Sequence, residues 1–95
     1  MHYVYILYSN STDKFYIGES KDPSLRLSQH NSGHFPKSFT TIARDWTIFL
    51  VIECQNIRQA RNIEQHIKRM KSKRYILNLK TYPDIIKRLL DDYKL

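Results

Sequence analysis

With 95 residues, 41% of them hydrophobic, and 16 Lys and Arg against 9 Asp and Glu, the chain carries a formal charge of +7 in a length that suits one domain, residues 1–95. One cysteine, Cys54, excludes an internal disulfide and any metal site built on several thiolates, and favours a reducing, cytoplasmic setting. No run nears the ~18 apolar residues of a membrane span, and MHYVYILYSN lacks the basic leader and cleavage site of a signal peptide, so no membrane partner is expected. The positive excess points toward a polyanion such as nucleic acid, although composition alone is equally that of a soluble basic protein.

Residues 3–8, Tyr-Val-Tyr-Ile-Leu-Tyr, are mostly β-branched and aromatic, which predicts a first strand. The polar cluster Ser9 to Asp13 makes a turn, and Lys14 to Glu19 is a second strand closing a hairpin. Asp22-Pro23 is a helix start, with Asp as the cap and Pro as the first helical residue; the helix runs to about Asn31 and stops at Gly33. Residues 34–45, with Pro36 and the basic or potentially basic His34, Lys37 and Arg44, read as an exposed loop. Trp46 to Glu53 is a nearly unbroken apolar run, expected as a well-buried third strand. Asn56 caps a long helix in which Ile57, Ala60, Ile63, Ile67 and Met70 keep helical spacing. A short helical or irregular piece reaches about Asn78. Thr81-Tyr82-Pro83-Asp84 resembles a capping box and opens an amphipathic helix marked by Ile85, Ile86, Leu89, Leu90 and Tyr93. The order β-β-α-β-α-α predicts an α+β fold, with the N-terminal hairpin and one central strand covered by helices.

A hairpin turn centred between Asn10 and Ser11 would set Tyr5 opposite Tyr16, Tyr3 opposite Gly18 and Leu7 opposite Lys14, all on one face. A slip of two residues keeps both tyrosines on that face, and a slip of one separates them. Plain cross-strand aromatic packing is the simpler account of such a pair. Arg26 and His30 share a helix face with Asp22 one turn earlier; this suits a phosphate clamp beside a proton-transfer group, or only a solvated polar face.

Glu64 falls beside Ala60 and Ile57 at the border of the apolar stripe, with Arg58, Arg61 and Lys68 on its other flank. A carboxylate turned inward needs a partner. Lys68 or another basic side chain could supply it, and so could a hard cation such as Mg²⁺ with water and phosphate completing its shell. The basic run Lys68, Arg69, Lys71, Lys73 and Arg74 suits a surface that tracks a phosphate backbone, and it also complements a helix C-terminus. Lys37, Arg44, Lys68, Lys71, Lys73 and Arg74 are the candidate nucleic-acid-binding set.

These pieces together resemble the GIY-YIG nucleases. Tyr3-Val4-Tyr5 looks like the first half of the name motif, with Tyr3 in place of its glycine, and Tyr16-Ile17-Gly18 is an intact second half. Leu25 to Gly33 resembles the family's Arg-bearing helix and following turn, and Ala60 to Lys68 its Glu-bearing helix. The resemblance spans nearly the whole chain and is closest to small stand-alone bacterial members. It implies a three-stranded antiparallel sheet flanked by helices, and a metal-dependent endonuclease acting on DNA. It further implies that Tyr16, or Tyr5 beside it, activates or orients the attacking water. Arg26 would hold the scissile phosphate, His30 would assist proton transfer or orient the nucleophile, and Glu64 would bind a single Mg²⁺ or Mn²⁺ ion. Glu19 stands where excision-repair relatives have a Lys, removing a phosphate contact, and Asn78 is a loose match to a late Asn.

Two other readings compete: a nucleic-acid-binding module on a degenerate nuclease scaffold, and a small interaction protein that docks an acidic partner. Tyr16, Arg26, His30 and Glu64 standing together favour the enzyme. Duplex, single-stranded and branched DNA, and RNA, all stay open as substrates. Specificity is left to loop 34–45, the basic 68–74 region, a homo-oligomer or a partner protein.

Overall fold

The apolar N-terminal stretch forms β1 (His2–Ser9), the middle strand of a three-stranded antiparallel sheet ordered β2-β1-β3. The structure is a computed structural model that describes residues 1–94. β2 is Lys14–Ser20 and β3 is Trp46–Cys54; the helices are α1 (Pro23–Asn31), α2 (Ile57–Met70), α3 (Lys73–Thr81) and α4 (Pro83–Asp92). This is the α+β fold and element order expected. The middle position explains why Val4, Tyr5, Ile6 and Leu7 are all almost fully buried: β1 has a strand on each side and helices over both faces.

Even-numbered side chains of β1 face α2, α3 and α4. There Val4 and Ile6 join Ile52, Ala60, Ile63, Ile67, Leu79 and Leu89 in the main core. Odd-numbered side chains face α1, where Tyr5 and Leu7 pack with Ala43 and Trp46. The two faces alternate as a pleated strand requires.

The hairpin register differs from expectation by two residues. Tyr5 pairs with Gly18 and Leu7 with Tyr16, so the turn is the four-residue stretch from Asn10 to Asp13. Asp13 adopts a left-handed conformation (φ 53°), and Asp45 reaches across to accept hydrogen bonds from the Ser9 hydroxyl and from the Ser11 amide and hydroxyl. Gly18 helps to set this register: a Cβ there would lie 2.6 Å from the Tyr5 ring, so only glycine lets that ring lie across β2. Both tyrosines remain on one face, because a slip of two preserves the pleat.

Asp22 caps α1 by accepting from the Leu25 amide, Pro23 opens it, and Gly33 (φ 76°) follows its end. Loop 34–45 is more structured than an exposed loop. It contains a short 3₁₀ turn, Phe39–Ile42, capped by Ser38, and it buries Thr40 and Ala43. β3 corrects the expectation of a well-buried strand. It is an edge strand whose Ile48 and Val51 are 38% and 41% exposed, because α1 covers the odd face only near Trp46. A bulge between Ile6 and Leu7 in the pairing with β3 lets consecutive Phe49 and Leu50 both pack on the main core. That bulge makes the run unbroken in sequence.

Asn56 caps α2 as expected, while Ile57 and Met70 at its ends stay exposed. The piece before the last helix is the nine-residue α3, capped by Ser72. The capping-box expectation fails: Tyr82 stands at the cap of α4 with no side-chain bond, and Thr81 ends α3 with its hydroxyl donating to the Leu77 carbonyl.

Candidate active site

α1 and α2 lie over opposite faces of the sheet, but both pass the free edge of β2. A cleft of about 360 Å³ runs over that edge, lined by Tyr5, Tyr16, Gly18, Glu19, Arg26, His30, Phe35, Ser38 and Glu64. Tyr5 and Tyr16 reach it from the α1 face. Glu19 and Glu64 reach it from the α2 face, and Gly18 lies between the two pairs with the Tyr5 ring and hydroxyl packed over it. All five residues named as catalytic candidates therefore line one concave surface. An adjoining cleft shares Arg26 and Glu19 and adds His2, Lys21 and Arg61.

Tyr5 is only 2% exposed, and its hydroxyl lies 3.0 Å from His30 Nε2. Burial raises the Tyr5 phenol far above its ordinary value, with Tyr16 adding to the rise and Arg26 opposing it. Tyr16 is half-buried, its ring centroid 4.8 Å from that of His30 and 6.2 Å from that of Tyr5. His30 is itself buried. Desolvation pushes its pKa below the usual imidazole value, and the Arg26 guanidinium pushes in the same direction. Its other nitrogen, Nδ1, lies 2.8 Å from the buried Thr40 hydroxyl, which donates to the Ser38 hydroxyl at 3.0 Å. Arg26, one turn before His30, stacks its guanidinium over Phe35 at 5.4 Å and faces the cleft.

Glu64 is mostly shielded, with 15% of its side chain exposed, and pairs with Lys68 at 2.9 Å. This is one of the two cation types that its position called for. Among the described residues no three His, Cys, Asp or Glu side chains converge as a ready metal cage. A divalent ion here would rest on Glu64 with water and phosphate oxygens in its remaining positions, as hard cations accept. The half-exposed Lys68 ammonium can swing away from the carboxylate, so the donor chemistry fits such an ion.

Glu19 is held by His2 and lies 3.6 Å from Arg61 Nε, so its carboxylate has partners within the protein. Of the candidate binding residues, Lys37, Arg44, Lys68, Lys71, Lys73 and Arg74 are all exposed, none of them lining the cleft. Lys73 pairs with Asp13 at 2.6 Å, and Lys71 ends α2 in a left-handed conformation (φ 47°). Asn78 sits in α3, away from the cleft. Phe35, Ser38 and Thr40 were not anticipated in the site. Their one signal in sequence is the Ser38-Phe39-Thr40 pattern, in which a serine caps a short turn.

The chain belongs to the GIY-YIG family: the family model described as the GIY-YIG catalytic domain matches residues 1–76. The fold is thus of nuclease type, and a nucleic acid is the substrate class of the family. No curated protein and no solved structure matches the chain.

Proposed function

We propose that the chain is a metal-dependent endonuclease that hydrolyses phosphodiester bonds in DNA at the β2-edge cleft. The observation that carries this reading is the meeting of Tyr5, Tyr16, Arg26, His30 and Glu64 in one cleft from four separate elements. A structural role for each would not require them to share a surface.

In this reading Arg26 binds the scissile phosphate and offsets the charge that develops on it. Tyr16 orients the attacking water. Tyr5 and His30, in hydrogen-bond contact at 3.0 Å, carry away its proton. Glu64 holds one Mg²⁺ or Mn²⁺ ion, whose chemistry is to stabilise the leaving oxygen. The exposed basic residues Lys37, Arg44, Lys68, Lys71, Lys73 and Arg74 track the flanking phosphates. We read residues 1–95 as one domain, because Leu89 of α4 packs in the same core as Val4 and Ile6. The lone buried cysteine suits a cytoplasmic protein. Among the described residues no helix is long and apolar enough to cross a membrane.

The Glu64–Lys68 pair favours a second reading, a nucleic-acid-binding module in which that carboxylate is purely structural. A cleavage panel separates the two. Duplex, single-stranded and branched DNA, and RNA, are incubated with Mg²⁺ or Mn²⁺ and wild-type or Glu64→Gln protein. Cleavage by the wild type alone supports the enzyme. Binding without cleavage on every substrate supports the module.

A further inference from the structure

Residues 34–45 contribute a part of the site that neither the motif residues nor their spacing indicate. The Ser38 hydroxyl accepts from both the Thr40 amide, at 3.3 Å, and the Thr40 hydroxyl, at 3.0 Å. A threonine hydroxyl has one proton. With that proton on Ser38, the Thr40 oxygen can only accept from His30 Nδ1, 2.8 Å away. His30 Nδ1 then carries the hydrogen and Nε2 carries the lone pair, so the Tyr5 hydroxyl donates to Nε2. The directions of three successive hydrogen bonds follow from one serine.

Thr40 is itself fixed in place. It is 1% exposed, and its carbonyl accepts from the Trp46 indole at 2.9 Å. Trp46 is clamped at its backbone by Asn31, which donates to its carbonyl at 2.9 Å and accepts from its amide at 2.8 Å. Asn31 is the last residue of α1, next to His30. The helix that carries the histidine is therefore tied to the turn that orients it.

We propose that Thr40, itself oriented by Ser38, is a positioning residue that locks His30 in the Nδ1–H tautomer and aims its Nε2 lone pair at Tyr5. This rests on the endonuclease reading for its use. As water attacks phosphorus, the bond from phosphorus to the leaving sugar oxygen breaks and that oxygen takes a proton from solvent; the proton of the attacking water passes to the Tyr5 oxygen while the Tyr5 proton passes to His30 Nε2. The Nδ1–H bond to Thr40 is kept throughout, and the imidazolium returns its proton to solvent after the product leaves. The opposite tautomer would present an N–H to Tyr5 and leave no acceptor for that proton.

The test is the tautomer itself, read by long-range proton–nitrogen NMR on ¹⁵N-histidine protein at alkaline pH, with His30 assigned through His30→Gln. The wild type and Thr40→Ser are expected as Nδ1–H. Thr40→Val removes the acceptor, and Ser38→Ala frees the Thr40 hydroxyl to donate to Nδ1, so both are expected to move toward Nε2–H. In cleavage assays Thr40→Val should lower kcat roughly ten- to a hundredfold with little change in KM, and Thr40→Ser should restore it. A wild-type Nε2–H signal would overturn the assignment. So would an unchanged tautomer in both Thr40→Val and Ser38→Ala, or a moved tautomer with unchanged kcat. If the wild type cuts nothing, the endonuclease reading falls, and the spectra alone decide how Thr40 sets His30.

Discussion

The two faces of the sheet are held by different forces. Over the even face, α2, α3 and α4 bury Val4, Ile6, Ile52, Ile63, Ile67 and Leu79 in an apolar core whose stability comes from excluded water. Over the odd face, α1 and the 3₁₀ turn bury Tyr5, His30, Thr40 and Trp46, joined by directed hydrogen bonds. Apolar packing tolerates repacking of similar volume, whereas a buried polar chain works only if every donor meets its acceptor. The face to which we assign the chemistry is the one with the less forgiving construction. Glu64 joins them, since it stands on the helix that supplies Ala60, Ile63 and Ile67 to the apolar core and reaches round β2 into the polar cleft.

The sharpest test of that division is Glu64→Gln. Cleavage is expected to fall about a thousandfold or more, the loss of several kcal/mol of transition-state stabilisation. Stability should change by less than about 1 kcal/mol, because Lys68 is half-exposed and the ion pair is screened. A melt that drops sharply with cleavage intact would make Glu64 a structural residue of the even face.

Ile63→Ala should do the reverse. It opens a cavity in the apolar core at a cost of about 2–5 kcal/mol in denaturant unfolding, while turnover per folded molecule stays near wild type. A large loss of turnover in the folded fraction would show that the two faces are coupled.

Gly18→Ala strikes the odd face with little effect on the even one. The new Cβ would meet the Tyr5 ring and hydroxyl at 2.6 Å, so Tyr5 must shift away from His30. Cleavage should fall by roughly a hundredfold, and stability by about 1–3 kcal/mol. Wild-type activity would show that the Tyr5–His30 hydrogen bond is not used.

Acidification is expected to act through His30, which is faced by Tyr5 from β1, Tyr16 from β2 and Arg26 from its own helix, with Glu19 and Glu64 across the cleft. Its folded pKa lies below the usual 6.5, chiefly through burial. The unfolded chain therefore binds more protons just below neutrality, and the stability contributed by neutral His30 is full above 6.5 and lost as pH falls through the folded value. In kcat/KM the acid limb should lie below 6.5, and His30→Gln should lose less stability than wild type between pH 7 and 5. An acid limb above 6.5 would contradict the burial account.

The smallest effect concerns the exposed cations outside both faces. Neutralising Lys71, Lys73 and Arg74 should weaken DNA binding across sequences and lower the salt slope by about one unit for each phosphate no longer neutralised. Lys73 should give the least of the three, since Asp13 already pairs with it. An unchanged slope would leave the basic surface with some other purpose.

The amino-acid sequence by itself determined the element order and the apolar stripe that α2 turns to the core. The β-branched and aromatic content of β1 and the helical spacing in α2 are local signals, and burying the apolar surface of each leaves few ways to stack them. The caps Asp22 and Asn56 were legible because each accepts from a backbone amide three residues on, and the start at Pro23 because proline presets the helical φ and lacks an N–H that the first turn would leave unpaired. The five motif residues were legible as a set through the family resemblance, and their spacing already put Tyr5 with Tyr16 and Arg26 with His30. Only the tertiary structure decided the hairpin register, which depends on Asp45 reaching back to Ser9 and Ser11 and on the Tyr5 ring needing Gly18 beneath it. It likewise decided the meeting of Glu64 with the tyrosines across a sheet edge, and the hydrogen-bond chain from Ser38 through Thr40 and His30 to Tyr5. Those interactions join residues far apart in the chain, and a directed bond between distant groups leaves no period in the sequence by which to read it.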